Sequence, residues 1–408
     1  RKNDSKALTM LENARAENKQ DAELLTQIAL MKVIMKQPLE PADLVGGNKK
    51  INPKNLSIGQ TRLYLQSLAQ EKKWDEATSL LDAMSQPLPL LLIDDQEKIK
   101  SQTALIPLTD SANGGLSYFL LDLAASLLGG NPNSALLFCQ LARFANDKNH
   151  DAHFMLATIY ANLGLTEQSF AILKDLKKEK TYMHLANLAE VDLLKSVGAT
   201  DDAKGKLTDL NAKYPEVIEY PLALGVLNAE KRDFKAAEKS FSTVIDINKK
   251  YPANQNAWFY YYQYGVALTE QNKWALAENN FLTALKINPN APEVLNFLGY
   301  SWIERKKNIG ESIVMLKKAN ALAPNNGAIL DSLGWAYYNL GKYELARGYL
   351  EKAGQLVASD PDINSHLGDV YWQLNEKTTA KLFWQKSLEK TSDETGRLHL
   401  QRKISSGL

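Results

Sequence analysis

The residue types that could do chemistry are few. The chain has five histidines and one cysteine among 408 residues. His150 and His153, with Asp151 between them, lie within one helical turn and could touch one metal ion, but no third ligand is suggested nearby. His366 stands beside a repeated glycine position and is expected to pack or hydrogen-bond. Cys139 ends the apolar run Ala135-Leu136-Leu137-Phe138-Cys139, the setting of a buried, inert thiol rather than a nucleophile. A lone cysteine forms no intramolecular disulfide and no cysteine-based zinc site. The pairs Asp94/Asp95 and Asp201/Asp202 are expected in turns, where aspartate caps helices. Gly129-Gly130-Asn131-Pro132 reads as a turn between helices, not a phosphate cradle. There is no Walker loop, dinucleotide fingerprint, serine elbow or HExxH. No catalytic residue, metal site or cofactor is expected, and the chain reads as a non-enzyme.

Charge and hydropathy narrow the partners. A formal net charge of +1 lacks the basic excess that nucleic acid or an acidic membrane surface requires. The lysines at 174, 177, 178 and 180 read as a solvated helix end. No run approaches the roughly 18 apolar residues of a membrane-spanning helix. The chain opens at Arg1 rather than Met, within a stretch (5–16) that reads as helix, so it is expected to be a fragment; membrane anchoring would come only through a missing N-terminal segment. Oligomeric state is not readable from these residues.

The elements that must carry any function repeat at a fixed interval. Gly265, Ala277, Phe281, Ala284 and Pro289 recur as Gly299, Ala319 and Pro324, then Gly334, Ala346, Leu350 and Ala353, then Gly368, Ala380, Trp384 and Ser387. The repeats start at 258, 292, 327 and 361, spacings of 34, 35 and 34 residues, the tetratricopeptide (TPR) period. The extra residue falls near 306–308. The register extends back to starts at 218, 184, 150 and 116, with Gly164 and Gly130 as mid-repeat turn glycines and about six extra residues around 248–256. The predicted fold is all-α, antiparallel helix pairs stacked into a solenoid. Glycine in the first helix and alanine in the second let two backbones approach, bulky residues fill between hairpins, and proline forces the exit. No hairpin buries its apolar face alone, so each must stack on a neighbour.

Toward the N-terminus the register loosens. Residues 1–57 read as the helices of a truncated repeat followed by a loose connector with Gly46-Gly47, 58–85 as a degenerate hairpin with Trp74 and Ala77, and 86–115 as an irregular connector rich in leucine and proline. Degenerate repeats follow over 116–257, well-formed ones over 258–394, and 395–408 caps the array.

Groove-facing positions of the first helices hold Phe259 and Tyr262, Asn296 and Tyr300, Asp331, Trp335 and Tyr338, then Ser365, Asp369 and Trp372. Aromatics with polar neighbours suit peptide recognition, offering contact area together with hydrogen bonds. The alternative is that these aromatics only pack between repeats.

The strings Leu295-Asn296-Phe297-Leu298-Gly299-Tyr300-Ser301-Trp302, Asp331-Ser332-Leu333-Gly334-Trp335-Ala336-Tyr337-Tyr338 and Asp362-Ile363-Asn364-Ser365-His366-Leu367-Gly368-Asp369-Val370-Tyr371-Trp372 are more specific than the bare repeat consensus. With the closing Lys403-Ile404-Ser405-Ser406-Gly407-Leu408, they make residues 116 onward resemble a group of exported proteobacterial TPR proteins. That resemblance implies a periplasmic interaction protein, often an outer-membrane lipoprotein, some relatives being adaptors for carboxyl-terminal processing proteases. The leading expectation is a scaffold or adaptor binding a protein or peptide segment in a concave groove. The alternatives are an envelope assembly factor using its convex face or edges, and a fragment of a larger protein whose enzymatic domain lies elsewhere. A cytoplasmic location is the alternative to export.

Overall fold

The computed structural model describes residues 2–17, 22–45, 52–84, 87–105, 108–109, 111–252 and 254–408. Its described residues form 23 α-helices and one short 3-10 turn, with no strand. By packing, the chain divides into two units: Arg1–Leu227 with Asp246–Asn254, and Asn228–Ile245 with Gln255–Leu408. This division runs through the repeat starting at 218, not at the expected boundary near 257. In a repeat array each hairpin packs on whatever neighbour it has, so packing units need not follow consensus strength.

The first unit opens with α1 (Lys2–Glu17), α2 (Ala22–Ile34), α3 (Pro41–Val45), α4 (Ile58–Gln70), α5 (Trp74–Asp82) and α6 (Leu90–Lys100). Two of these helices correct the sequence reading. The segment expected to be a loose connector contains α3, pinned because Asp43 is buried and paired with Lys32 at 2.8 Å and Arg15 at 3.6 Å. The segment expected to be irregular contains α6. Its prolines precede the helix, with Pro89 as the N-cap, and the following Leu-Leu-Leu-Ile-Asp-Asp-Gln-Glu run has no helix breaker. Leu90 and Leu92 are buried, as are Asp94 and Asp95, which therefore lie inside a helix and not in a turn. Gly46, Gly47 and Gln86 lie outside the described residues.

Regular hairpins follow: α7 (Ala112–Leu127) with α8 (Pro132–Ala145), α9 (His150–Asn162) with α10 (Thr166–Leu176), and α11 (Met183–Ser196) with α12 (Thr200–Lys213). Then come α13 (Glu219–Glu230) and α14 (Phe234–Asn248). The second unit continues with α15 (Ala257–Thr269), α16 (Trp274–Ile287), α17 (Pro292–Glu304), α18 (Ile309–Leu322), α19 (Gly327–Asn339), α20 (Tyr343–Leu356), α21 (Pro361–Gln373), α22 (Lys377–Lys390) and the terminal α23 (Glu394–Ser406).

The repeat spacing has a visible steric cause. A Cβ on Gly265 would fall 2.6 Å from Phe281, one on Gly334 2.6 Å from Leu350, and one on Gly368 2.3 Å from Trp384. Each glycine thus receives the bulky residue of its own second helix, and Phe281, Leu350 and Trp384 are fully buried there. Burying such a side chain contributes about 1.5–3 kcal/mol. The turn between paired helices is equally regular. Its left-handed residue is Gly164, Gly198, Arg232, Asn272, Lys306, Gly341 and Asn375 in successive repeats, and Lys72 in the α4–α5 hairpin. Lys72 places α4 and α5 in the same register as the later repeats. Gly130 does not adopt that conformation, so the α7–α8 turn departs from the others. In the longer repeat Asn308 is left-handed as well, which absorbs the extra residue.

Candidate functional site

The groove-facing aromatics Tyr300, Trp335, Tyr338 and Trp372 form a strip carried by first helices α17, α19 and α21. Their starts are sharply defined: Pro292 and Pro361 sit in first turns, Asn326 caps α19 by accepting from Ile329 N, and Asp360 caps α21 by accepting from Ile363 N. With the starts set, residues three and four apart share a face.

Four of the expected residues meet on that face. Trp335 stacks on Tyr338 with ring centroids 4.7 Å apart and planes within 7°. It also stacks on His366 of the next first helix at 4.0 Å. The His366 imidazole bonds to Asp331 at 2.8 Å, and the Trp335 indole donates to Glu304 of the preceding first helix at 2.6 Å. Burial, then the charges of Glu304, Asp331 and Asp362, push the Tyr300 phenol well up. For His366, burial works against the proton, but Asp331 and then Asp369 and Asp362 override it, and its pKa is raised. Tyr300, Trp335 and Tyr338 are all half-buried rather than sealed in the core, whereas Asp331 is buried beneath His366.

The other expected residues are placed differently. Phe259 remains exposed and meets Trp258 edge-on. Tyr262 packs against Phe281 and Phe297, each 6.2 Å away, as part of the α15–α16 core. Asn296 is half-buried, with its carboxamide oxygen covered and without a hydrogen-bond partner. Asp369 is not a groove residue. Lys403 of α23 reaches both of its carboxylate oxygens at 2.8 Å, Trp384 donates to it at 2.8 Å, and the pair is sealed at 4% and 7% exposure. Lys403 also reaches the Ser365 hydroxyl at 3.4 Å. Trp372 packs on Trp384 at 5.4 Å and lies against Gly407. The terminal helix therefore occupies the last repeat's share of the face, because Leu400 and Ile404 need the apolar cover that Trp372 and Trp384 supply.

Sequence reasoning missed Glu304, Asp362 and Lys403 as partners of this face. Glu304 ends α17 and Asp362 opens α21, positions that read as ordinary helix-end acids. Their signal is the register: both fall on the aromatic face when counted from the repeat start.

Elsewhere the chemistry is structural. Cys139 is fully buried, its thiol donates to Ala152 O at 3.2 Å, and burial pushes its pKa up to about 12. His153 lies 3.5 Å from Asp147 and His150 3.7 Å from Glu179. Among the described residues no group of three or more His, Cys, Asp or Glu is arranged to hold a metal ion, and no helix is long and apolar enough to cross a membrane. Of the lysines read as solvated, Lys174, Lys178 and Lys180 are exposed, Lys180 while reaching Asp94 at 3.3 Å, and Lys177 is half-buried and reaches Glu190 at 2.6 Å. The first unit also holds a polar centre. The buried Arg62 guanidinium contacts Asp95 at 3.4 Å, Asp151 at 3.6 Å and the Tyr182 hydroxyl at 3.2 Å, while Tyr118 and Tyr182 donate to Asp151. It ties α4 to α6, α7, α9 and the start of α11.

Comparison with known proteins agrees with this geometry. The family described as "Tetratricopeptide repeat" matches residues 327–353. A curated relative, the TPR repeat-containing protein PA4667 of Pseudomonas aeruginosa, is 30% identical over 185 residues, which is 45% of this chain. The chain spans 30% of that relative's length. Among solved structures, the APC/C hetero-tetramer Cut9–Hcn1 aligns over 99% of this chain and 87% of its own, at a TM-score of 0.53 and 15% identity, a likeness of fold alone. Pseudomonas aeruginosa PilF aligns over 47% of this chain and 84% of its own, at 19% identity and a TM-score of 0.39. Proteins with this fold are generally scaffolds for protein interaction. The hairpins at the 34-residue period, the steric pairing of glycine with a bulky partner and the family match over residues 327–353 show that the chain is built of tetratricopeptide repeats.

Proposed function

We propose that this chain is a non-enzymatic scaffold or adaptor that binds a polypeptide segment along its first-helix face, the concave side of a TPR array. The observation that carries this reading is the half-buried strip of Tyr300, Trp335 and Tyr338. Large rings left partly open along stacked repeats cost solubility unless something covers them. Pulldown from native envelopes with mass spectrometry supplies the partner. Trp335→Ala with Tyr338→Ala is then expected to weaken its binding at least tenfold, or about 1.4 kcal/mol, with helical content unchanged. A lower melting temperature with affinity retained would instead assign these rings to packing between repeats.

We further propose that the protein works on the periplasmic side of a bacterial envelope, as an adaptor that presents substrates to a protease. This rests on the resemblance of residues 116–408 to exported proteobacterial TPR proteins. Fractionation of the full-length gene product with cytosol would overturn it.

A second reading, assembly through a second-helix face, is favoured by one feature of the first unit. Leu137, Leu141 and Phe144 form an exposed stripe on α8, with Phe144 at 91% exposure. Substitutions there that abolish partner binding, while Trp335 and Tyr338 variants bind normally, would favour it.

A further inference from the structure

The open part of the strip is acidic as well as aromatic. Glu304, Asp331 and Asp362 come from three successive first helices: Glu304 accepts from the Trp335 indole at 2.6 Å, Asp331 bonds His366, which stacks on Trp335, at 2.8 Å, and the charge of all three reaches the Tyr300 phenol. The basic group among them is His366, which bonds Asp331 at 2.8 Å and whose charge also reaches Asp362. Glu304 is exposed and accepts from the Trp335 indole, a neutral donor that leaves its charge unbalanced. Asp362 is exposed at the first turn of α21, and among the described residues no lysine or arginine pairs with it or with Glu304. The face thus offers acceptors and negative charge beside aromatic rings, and holds too few donors of its own.

The chain shows what the next position along this face takes. Asp369 occupies the same register position as Trp335 and Tyr300, and it is filled by a lysine, Lys403, flanked by Leu400 and Ile404 against Trp372 and Trp384. Where α23 ends the array, the chain supplies the cation and its apolar flanks itself. One repeat earlier it supplies only the His366 imidazole, against Asp331, and among the described residues no lysine or arginine pairs with Glu304 two repeats earlier.

We propose that the strip binds a basic polypeptide segment, seating a lysine or arginine side chain beside the Tyr300 hydroxyl between Glu304 and Asp362, with the segment's apolar neighbours against Trp335 and Tyr338. This deepens, and rests on, the groove reading above. Carboxylates on the same face as half-buried aromatics, Glu304 2.6 Å from the Trp335 indole, favour a cation on a long apolar stem over any anionic ligand. An acidic peptide or a nucleic-acid backbone would meet like charge.

A random dodecapeptide phage library selected on the immobilised purified chain tests this. Three proteins are compared: wild type, Glu304→Gln with Asp362→Asn, and Trp335→Ala with Tyr338→Ala. Because Glu304 and Asp362 are exposed, the first double variant is expected to melt as wild type does. The expected result is a wild-type consensus with lysine or arginine at a fixed position beside apolar residues. A synthetic peptide of that consensus should bind at least tenfold tighter than its glutamine analogue, and more weakly as salt rises from about 50 to 300 mM. The Glu304/Asp362 variant should lose most of that preference, and the Trp335/Tyr338 variant should lose binding of both peptides. Consensus peptides without a basic residue, still dependent on Trp335 and Tyr338, would overturn the cationic inference and leave the groove reading standing. Peptides that bind all three proteins alike, or no enrichment at all, would overturn both.

Discussion

Gly334 shows how one residue type can be dictated by a neighbour 16 positions away. A Cβ there would meet Leu350 Cγ at 2.6 Å and the Ala346 carbonyl oxygen at 3.2 Å, so a larger residue must separate α19 from α20. Gly334→Leu is expected to destabilise the protein by several kcal/mol, the upper end of overpacked core sites. Gly348, with nothing within 4 Å of its Cβ position, is the control. Gly348→Ala should be neutral or stabilising by up to about 1 kcal/mol, since alanine is the better helix former. Thermal melts of both variants check the register, and wild-type melting of Gly334→Leu would refute it. His366 carries a second prediction. Its pKa is raised in the folded state by Asp331, with Asp369 and Asp362 adding to it. Its contribution is therefore fully present below the unfolded value of about 6.5 and is lost as pH rises through the raised folded value. Melting temperature followed from about pH 6 to 8 should fall more steeply for wild type than for His366→Gln. Parallel curves would show that the Asp331 pair does not stabilise the fold.

At the scale of elements, α6 and α23 are the instructive pair. Both are helices whose place is set by a charge buried against a distant partner. Asp95 of α6 meets Arg62 of α4, and Lys403 of α23 meets Asp369 of α21. Removing one member of such a pair leaves the other buried and unpaired, which costs about 3–5 kcal/mol. Arg62→Ala should therefore destabilise the first unit by that amount, and denaturant unfolding followed by far-UV circular dichroism measures it. A loss below about 1 kcal/mol would mean that water reaches this centre and solvates Asp95 and Asp151. Neither partnership was legible in the sequence. Arg62 and Asp95 lie 33 positions apart and Asp369 and Lys403 34, and no local pattern distinguishes Asp94 and Asp95 from helix-capping aspartates. Hairpins α15 to α22 were legible because their partners lie within one repeat, where small and bulky residues recur at matching positions.

At the scale of the whole molecule, repeats stabilise one another through nearest-neighbour contacts, so a run of several repeats with a cap should stand alone. Residues 255–408 hold four hairpins, their own buried clusters and the capping α23. Expressed alone, this fragment is expected to be helical and to melt cooperatively. A molten, dye-binding product would show that it depends on residues outside it. What the sequence by itself determined was the repeat, its period, and which residues form each hairpin core, because those contacts are local and recur. The same register placed Tyr300, Trp335 and Tyr338 on one face. Tertiary structure alone decided which part of that face stays open. The terminal helix covers Ser365, Asp369 and Trp372, and the Tyr262 ring turns to Phe281 and Phe297, so the strip narrows to α17, α19 and α21 with Glu304 and Asp362 on its rim. Periodicity reports a residue's angle about its own helix. Whether that side is covered depends on segments elsewhere in the chain, through burial and charge pairing that carry no period.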